Sequence, residues 1–104
     1  MMLKTDRMRD VRPDPEAALA IGIQALEYLA ADPVQLHRFL DLSGLDVGQL
    51  RSAAANPAFF AGLLDFLLGH EPTLLAFAAQ AGLSPGSIGA ARETLNHAFG
   101  TASQ

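Results

Sequence analysis

The sequence predicts an all-α fold, a compact bundle of five to six short helices around one central apolar helix at about residues 57–69. Three observations predict it. First, five prolines directly follow a residue that can accept a hydrogen bond, in Asp14-Pro15, Asp32-Pro33, Asn56-Pro57, Glu71-Pro72 and Ser84-Pro85. Such a pair opens a helix: proline at the first position gives up an N–H that has no partner there, and the preceding side chain caps another. Glu71 alone is a poor capper. Second, apolar residues recur at helical spacing and no run alternates with period two. Third, alanine and leucine dominate while β-branched residues are scarce, so nothing competes for strand.

Taken in order, residues 1–12 carry mixed charges without sustained apolar periodicity, which predicts a flexible arm. The bundle is expected over residues 13–100 and a frayed tail over 101–104. The first helix runs from Pro15 to about Ala31, with Leu19, Ile23, Leu26 and Ala30 as its apolar face. Ala18, Gly22, Ala25 and Leu29 form a neighbouring stripe of mostly small residues. Glycine inside a helix costs about 1 kcal/mol relative to alanine, so Gly22 either lets another helix approach closely or is merely tolerated.

The second helix follows Asp32-Pro33, places Leu36, Phe39, Leu40 and Ser43 on one side, and stops at Gly44. A short third helix, Val47 to Ala55, turns Val47, Leu50 and Ala54 inward. Asn56-Pro57 starts the fourth, where Phe59, Phe60, Leu63, Leu64, Phe66, Leu67 and Leu68 cover most of the circumference. A helix apolar nearly all round belongs at the centre. Its remaining stripe is Ala58, Gly62, Asp65 and Gly69. The fifth helix, Pro72 to Ala81, contributes Leu74, Leu75, Phe77 and Ala78; the sixth, Pro85 to about Phe99, contributes Ile88, Ala91, Leu95 and Phe99.

A faint repeat marks two helix corners. Gly44-Leu45-Asp46-Val47-Gly48-Gln49-Leu50 and Gly82-Leu83-Ser84-Pro85-Gly86-Ser87-Ile88 share Gly, Leu, a capping residue, any, Gly, any, and a branched aliphatic. In each, glycine ends one helix, leucine plugs into the core, and Asp or Ser caps the next.

Composition narrows the function classes. Only 17% of residues are charged, against about 25% in an average soluble domain, which suggests apolar surface left for a partner. The absence of cysteine removes disulfides, thiolate nucleophiles and Cys-type zinc sites, and fits a reducing, cytoplasmic compartment. The arm holds Lys4, Arg7, Arg9 and Arg12 against Asp6 and Asp10, whereas the remainder holds only Arg38, Arg51 and Arg92 against nine acids. That acidic body repels phosphate backbones and argues against nucleic acid as the main partner. No membrane span is expected either, since Pro57 to Leu68 is far shorter than the roughly 20 residues a crossing needs and includes Asp65.

No set of residues assembles into a catalytic or metal-binding motif. His37 with Asp41, and Glu93 with His97, stand four apart on helices, but a metal needs three or four converging ligands. No enzyme activity and no cofactor or metal are expected. Leu74 to Ile88 resembles a helix-turn-helix unit, yet the start of its second helix, Pro85-Gly86-Ser87-Ile88-Gly89-Ala90-Ala91, lacks the side chains that meet base edges. Asp65, on the most apolar helix, must face water or pair with one of the three body arginines, because an unpaired buried charge is very costly.

The pieces ALAIGIQALEYLAADPVQLHRFLDLSGLD, AANPAFFAGLLDFLLGHEP and LLAFAAQAGLSP, which lie between Pro15 and about Leu95, resemble a family of short bacterial proteins known only as a domain of unknown function. The resemblance implies an all-helical bacterial cytosolic protein and carries no catalytic or binding residue over to this chain.

The expectation is therefore a non-enzymatic module that acts through a protein partner or as a homo-oligomer. Its surface is expected to be a groove beside the fourth helix, bounded by the first and second, with Gly22, Ala58, Gly62 and Asp65 as candidate residues. Two alternatives stand beside it. One is a nucleic-acid adaptor using the hairpin of residues 74–95; the other is an apolar-ligand module around Phe59, Phe60, Phe66 and Leu67.

Overall fold

In the computed structural model, which describes residues 13–99, six helices follow one another with no strand among the described residues. They are α1 (Pro15–Ala30), α2 (Pro33–Ser43), α3 (Val47–Ala53), α4 (Pro57–Leu68), α5 (Glu71–Ala81) and α6 (Pro85–Phe99). The arm expected over residues 1–12 and the tail over 101–104 lie outside the described residues.

Four of the five proline pairs act as helix starts. Asp14 accepts from the Ala17 N–H at 2.8 Å, Asn56 from Ala58 at 3.0 Å, and Ser84 from Ser87 at 3.1 Å. Asp32 accepts from Val34 and Gln35 at 3.2 and 3.4 Å. The fifth pair is displaced by one residue: α5 begins at Glu71, with His70 in the cap position making no side-chain cap bond. Pro72 thus becomes the second helical residue, where an N–H is equally without a partner, and Glu71 in the first turn is favoured by the positive helix end.

α4 is central, as its apolar circumference requires. Phe60, Ala61, Leu63, Leu64 and Leu67 are buried on it, and it packs most extensively against α6 and then α1. Fully burying each of these leucines stabilises the fold by about 2 kcal/mol. α6 contributes Ile88, Ala91 and Leu95, all buried, to the same core. α2 turns away from α1 by 115° and α6 from α5 by 99°. α2 is tied to α4 through aromatic edges, with Phe39 5.8 Å from Phe59 and 5.3 Å from Phe66, centroid to centroid.

α1 meets the core with the stripe that the sequence reading places beside its main apolar face. Ala18, Gly22, Ala25 and Leu29 are buried, while Ile23 is 43% exposed, Ala30 is exposed, and Leu19 and Leu26 are half-buried. The reason is close approach. A Cβ on Gly22 would stand 2.8 Å from the Cβ of Phe60, so α4 lies against α1 where only a hydrogen fits. Small side chains let the helices come together, and the bulky stripe is pushed to the flank.

α3 departs further. It ends at Ala53 rather than Ala55, buries no residue, and leaves Val47 65% exposed, with Leu50 and Ala54 half-buried. Ser43, Leu75 and Phe99, expected to face inward, are also exposed, because the core volume is already filled by α1, α4 and α6.

Two polar ties fix the periphery. The Thr94 hydroxyl donates to the Pro13 carbonyl at 2.9 Å, joining α6 to the segment before α1. Buried Thr73 on α5 donates to Gln35 Oε1 on α2 at 3.1 Å and stands 2.6 Å from His70 Nδ1. With the one hydroxyl proton given to Gln35, His70 Nδ1 is the donor to Thr73.

Candidate interaction surface

Two apolar grooves remain on the surface, each beside a helix whose apolar residues outnumber its places in the core. One, of about 350 Å³, runs between α2 and α4 and is lined by Phe39, Leu42, Ser43, Gly62, Asp65 and Phe66. The other, of about 400 Å³, lies between α1 and α3 and is lined by Leu26, Ala30, Val47, Leu50, Arg51 and Ala54. The displaced apolar stripe of α1 thus meets the apolar side of α3 across open space.

The α2–α4 groove follows from the pattern of α4. Its buried residues face α1 and α6, Phe59 and Phe66 face Phe39, and the stripe left over is Ala58, Gly62, Asp65 and Gly69. With no side chain at Gly62 the floor is low there, and nothing lies within 4 Å of the place a Cβ would take. Asp65 stands at the edge. Its Oδ1 accepts from Arg92 Nε at 2.7 Å, and Arg92 Nη1 donates to Glu93 Oε2 at 2.7 Å. The bond to Asp65 is the chief reason the Arg92 guanidinium holds its proton even more firmly than an ordinary arginine. Asp65 is therefore paired with a body arginine, and its other oxygen has no partner among the described residues.

Of the four residues predicted to share a groove, the structure brings Gly62 and Asp65 together. Ala58 is half-buried one turn earlier on the same stripe and does not line the groove. Gly22 is elsewhere, buried beneath Phe60, and its role is in packing. The groove is bounded by α2 and α4, not by α1 and α2, because α1 lies on the opposite, buried side of α4.

Sequence reasoning missed Leu42, which is 72% exposed, and Val34, 68% exposed. The signal was present: neither belongs to the stripe that α2 turns inward, and a large apolar residue off that stripe has no place in the core. It missed the α1–α3 groove as well. Two adjacent apolar stripes on α1 are one more than a single core contact absorbs.

The remaining candidates are dispersed. His37, Asp41 and His97 are exposed, Glu93 is bonded to Arg92, and among the described residues no three His, Cys, Asp or Glu side chains converge. The α5–α6 corner has the near-right-angle bend of a helix-turn-helix unit. Its hydroxyls are engaged within the turn, however, Ser84 donating to Ser87 Oγ at 3.2 Å and Ser87 to the Ser84 carbonyl at 2.8 Å. Phe60 and Leu67 are buried, and Phe59 packs on Phe39 and Phe60, so these rings fill one another's space. No single helix among the described residues is long and apolar enough to cross a membrane.

Residues 15–98 match the model of a family described as a protein of unknown function (DUF3572). No curated protein and no solved structure matches the chain.

Proposed function

We propose that this chain, which belongs to the DUF3572 family, is a non-enzymatic cytoplasmic module that acts through protein contacts. The observation that carries the reading is the apolar surface left over once the core is full. Ile23, Val34, Leu42, Val47, Leu75 and Phe99 are all substantially exposed, and two of them, Leu42 and Val47, line the two grooves. A contiguous exposed apolar patch marks a place where another surface docks, and the two grooves, with Leu42 and Val47 in their linings, are where such a patch is expected. The low charge density supports the same reading.

Sedimentation of the purified chain, combined with affinity capture from an extract of its native cell with and without residues 1–12, tests it. A stable higher-mass species, or a protein captured in stoichiometric amount, is expected. A strict monomer that captures nothing overturns the reading.

A further inference from the structure

The outer face of α2 carries Val34, Arg38 and Leu42 at spacings of four, which places them in one ridge on the helix surface. All three are exposed, and Val34 and Leu42, at 68% and 72%, are the two most exposed large apolar side chains among the described residues. Beside the ridge lies the α2–α4 groove. Leu42 belongs to both, lining the groove with Asp65 on one side and a smaller depression with Arg38 and Asp41 on the other. Arg38 and Asp65 therefore stand on opposite sides of Leu42. Among the described residues Arg38 has no carboxylate within ion-pairing distance, and Asp65 uses only one of its oxygens.

We propose that this face binds a second copy of the chain about a two-fold axis near Leu42, with the α2 ridge of each copy in the α2–α4 groove of the other and Arg38 of each against Asp65 of the other. The inference rests on the reading that the chain acts through protein contacts. A two-fold interface must be complementary to itself, and this surface is: ridge beside groove, cation beside carboxylate. Its charges are nearly balanced, Arg38 and Arg92 against Asp41, Asp65 and Glu93, so two copies of it can meet without strong repulsion. The α1–α3 groove fails the same requirement, since Arg51 is its one charged lining residue and offers its own copy no carboxylate.

Sedimentation equilibrium on the full chain at low salt, with Arg38→Glu, Asp65→Lys and their equimolar mixture, tests the pairing. The wild type is expected to form a dimer. Each variant alone faces like charges twice across the axis and should weaken the dimer by about 10-fold or more. In the mixture, the carboxylate introduced at position 38 of one copy meets the ammonium introduced at position 65 of the other. The native Arg38 and Asp65 left on the two copies meet across the same axis, so association should return. A wild-type dimer that neither variant weakens, or a mixture that does not recover, overturns this surface while leaving action through protein contacts standing. A wild type monomeric at millimolar concentration overturns the second copy as the occupant, and if capture from extract also yields nothing, the broader reading falls with it.

Discussion

The corner between α2 and α3 and the corner between α5 and α6 are built alike and end differently. Gly44 and Gly82 both take the left-handed conformation, at φ 79° and 72°, and Leu45 and Leu83 both pack half-buried against the core. A side chain then caps the next helix in each: Asp46 accepts from Gln49 at 2.8 Å in a capping box, and Ser84 accepts from Ser87 at 3.1 Å. The first difference is in the closing bonds. Leu83 N–H reaches the Ala78 carbonyl at 2.9 Å, completing a full helix-end motif, whereas Leu45 N–H turns to the Ser43 hydroxyl at 3.4 Å. The larger difference comes six residues after each glycine, where Ile88 is fully buried and Leu50 only half so. Turn chemistry builds a corner. Whether the helix beyond it reaches the core depends on length and available space, and the seven residues of α3 arrive where α1, α4 and α6 already pack.

Substitution of the two equivalent aliphatic residues separates the corners most strongly. Ile88→Ala is expected to destabilise the fold by about 3 kcal/mol in urea titration, because it empties a filled site. Leu50→Ala should cost less than about 1 kcal/mol, since its site is open to water. Equal losses would mean that α3 is part of the core after all. Gly22→Ala provides the packing-based counterpart to the corner glycines: its methyl would collide with Phe60, and a loss of about 2 kcal/mol is expected although φ there is ordinary for a helix.

At the corners themselves the two should behave alike. Gly44→Ala and Gly82→Ala each force a side chain into the left-handed region, for about 1 kcal/mol apiece in the same titration, with open space around both positions. A cost at Gly82 well above that at Gly44 would show that the closing bonds, rather than backbone strain, dominate. The smallest effect is in local opening. Amide hydrogen exchange in α3 should be the fastest of any described helix, because its short run of backbone bonds is supported by caps and no buried side chain.

Much of the fold was readable because its signals are local. Asp14, Asp32, Asn56 and Ser84 announce helix starts through bonds reaching no further than three residues. The centrality of α4 was readable from its own composition, since Phe59, Phe60, Leu63, Leu64, Phe66, Leu67 and Leu68 cover most of its circumference and such a helix belongs at the centre. The site was half readable. Gly62 and Asp65 could be placed on one uncovered stripe of α4, but the groove's other wall, Phe39 and Leu42, belongs to α2, and no periodicity within α4 names its neighbour. Gly22 was correctly suspected of permitting close approach and wrongly assigned to the groove, because spacing shows which residues share a face and not what that face meets.

The amino-acid order by itself determined where most of the helices begin, that five to six of them form, and that one is central, since caps, prolines, left-handed glycines and apolar circumference act within a few residues of one another. Tertiary structure alone decided which of the two stripes of α1 is buried, that α3 is left outside, and which arginine pairs with Asp65. Each of those choices is a competition between distant segments for one limited volume, settled by how closely Phe60 can approach Gly22 and by what space remains once it has.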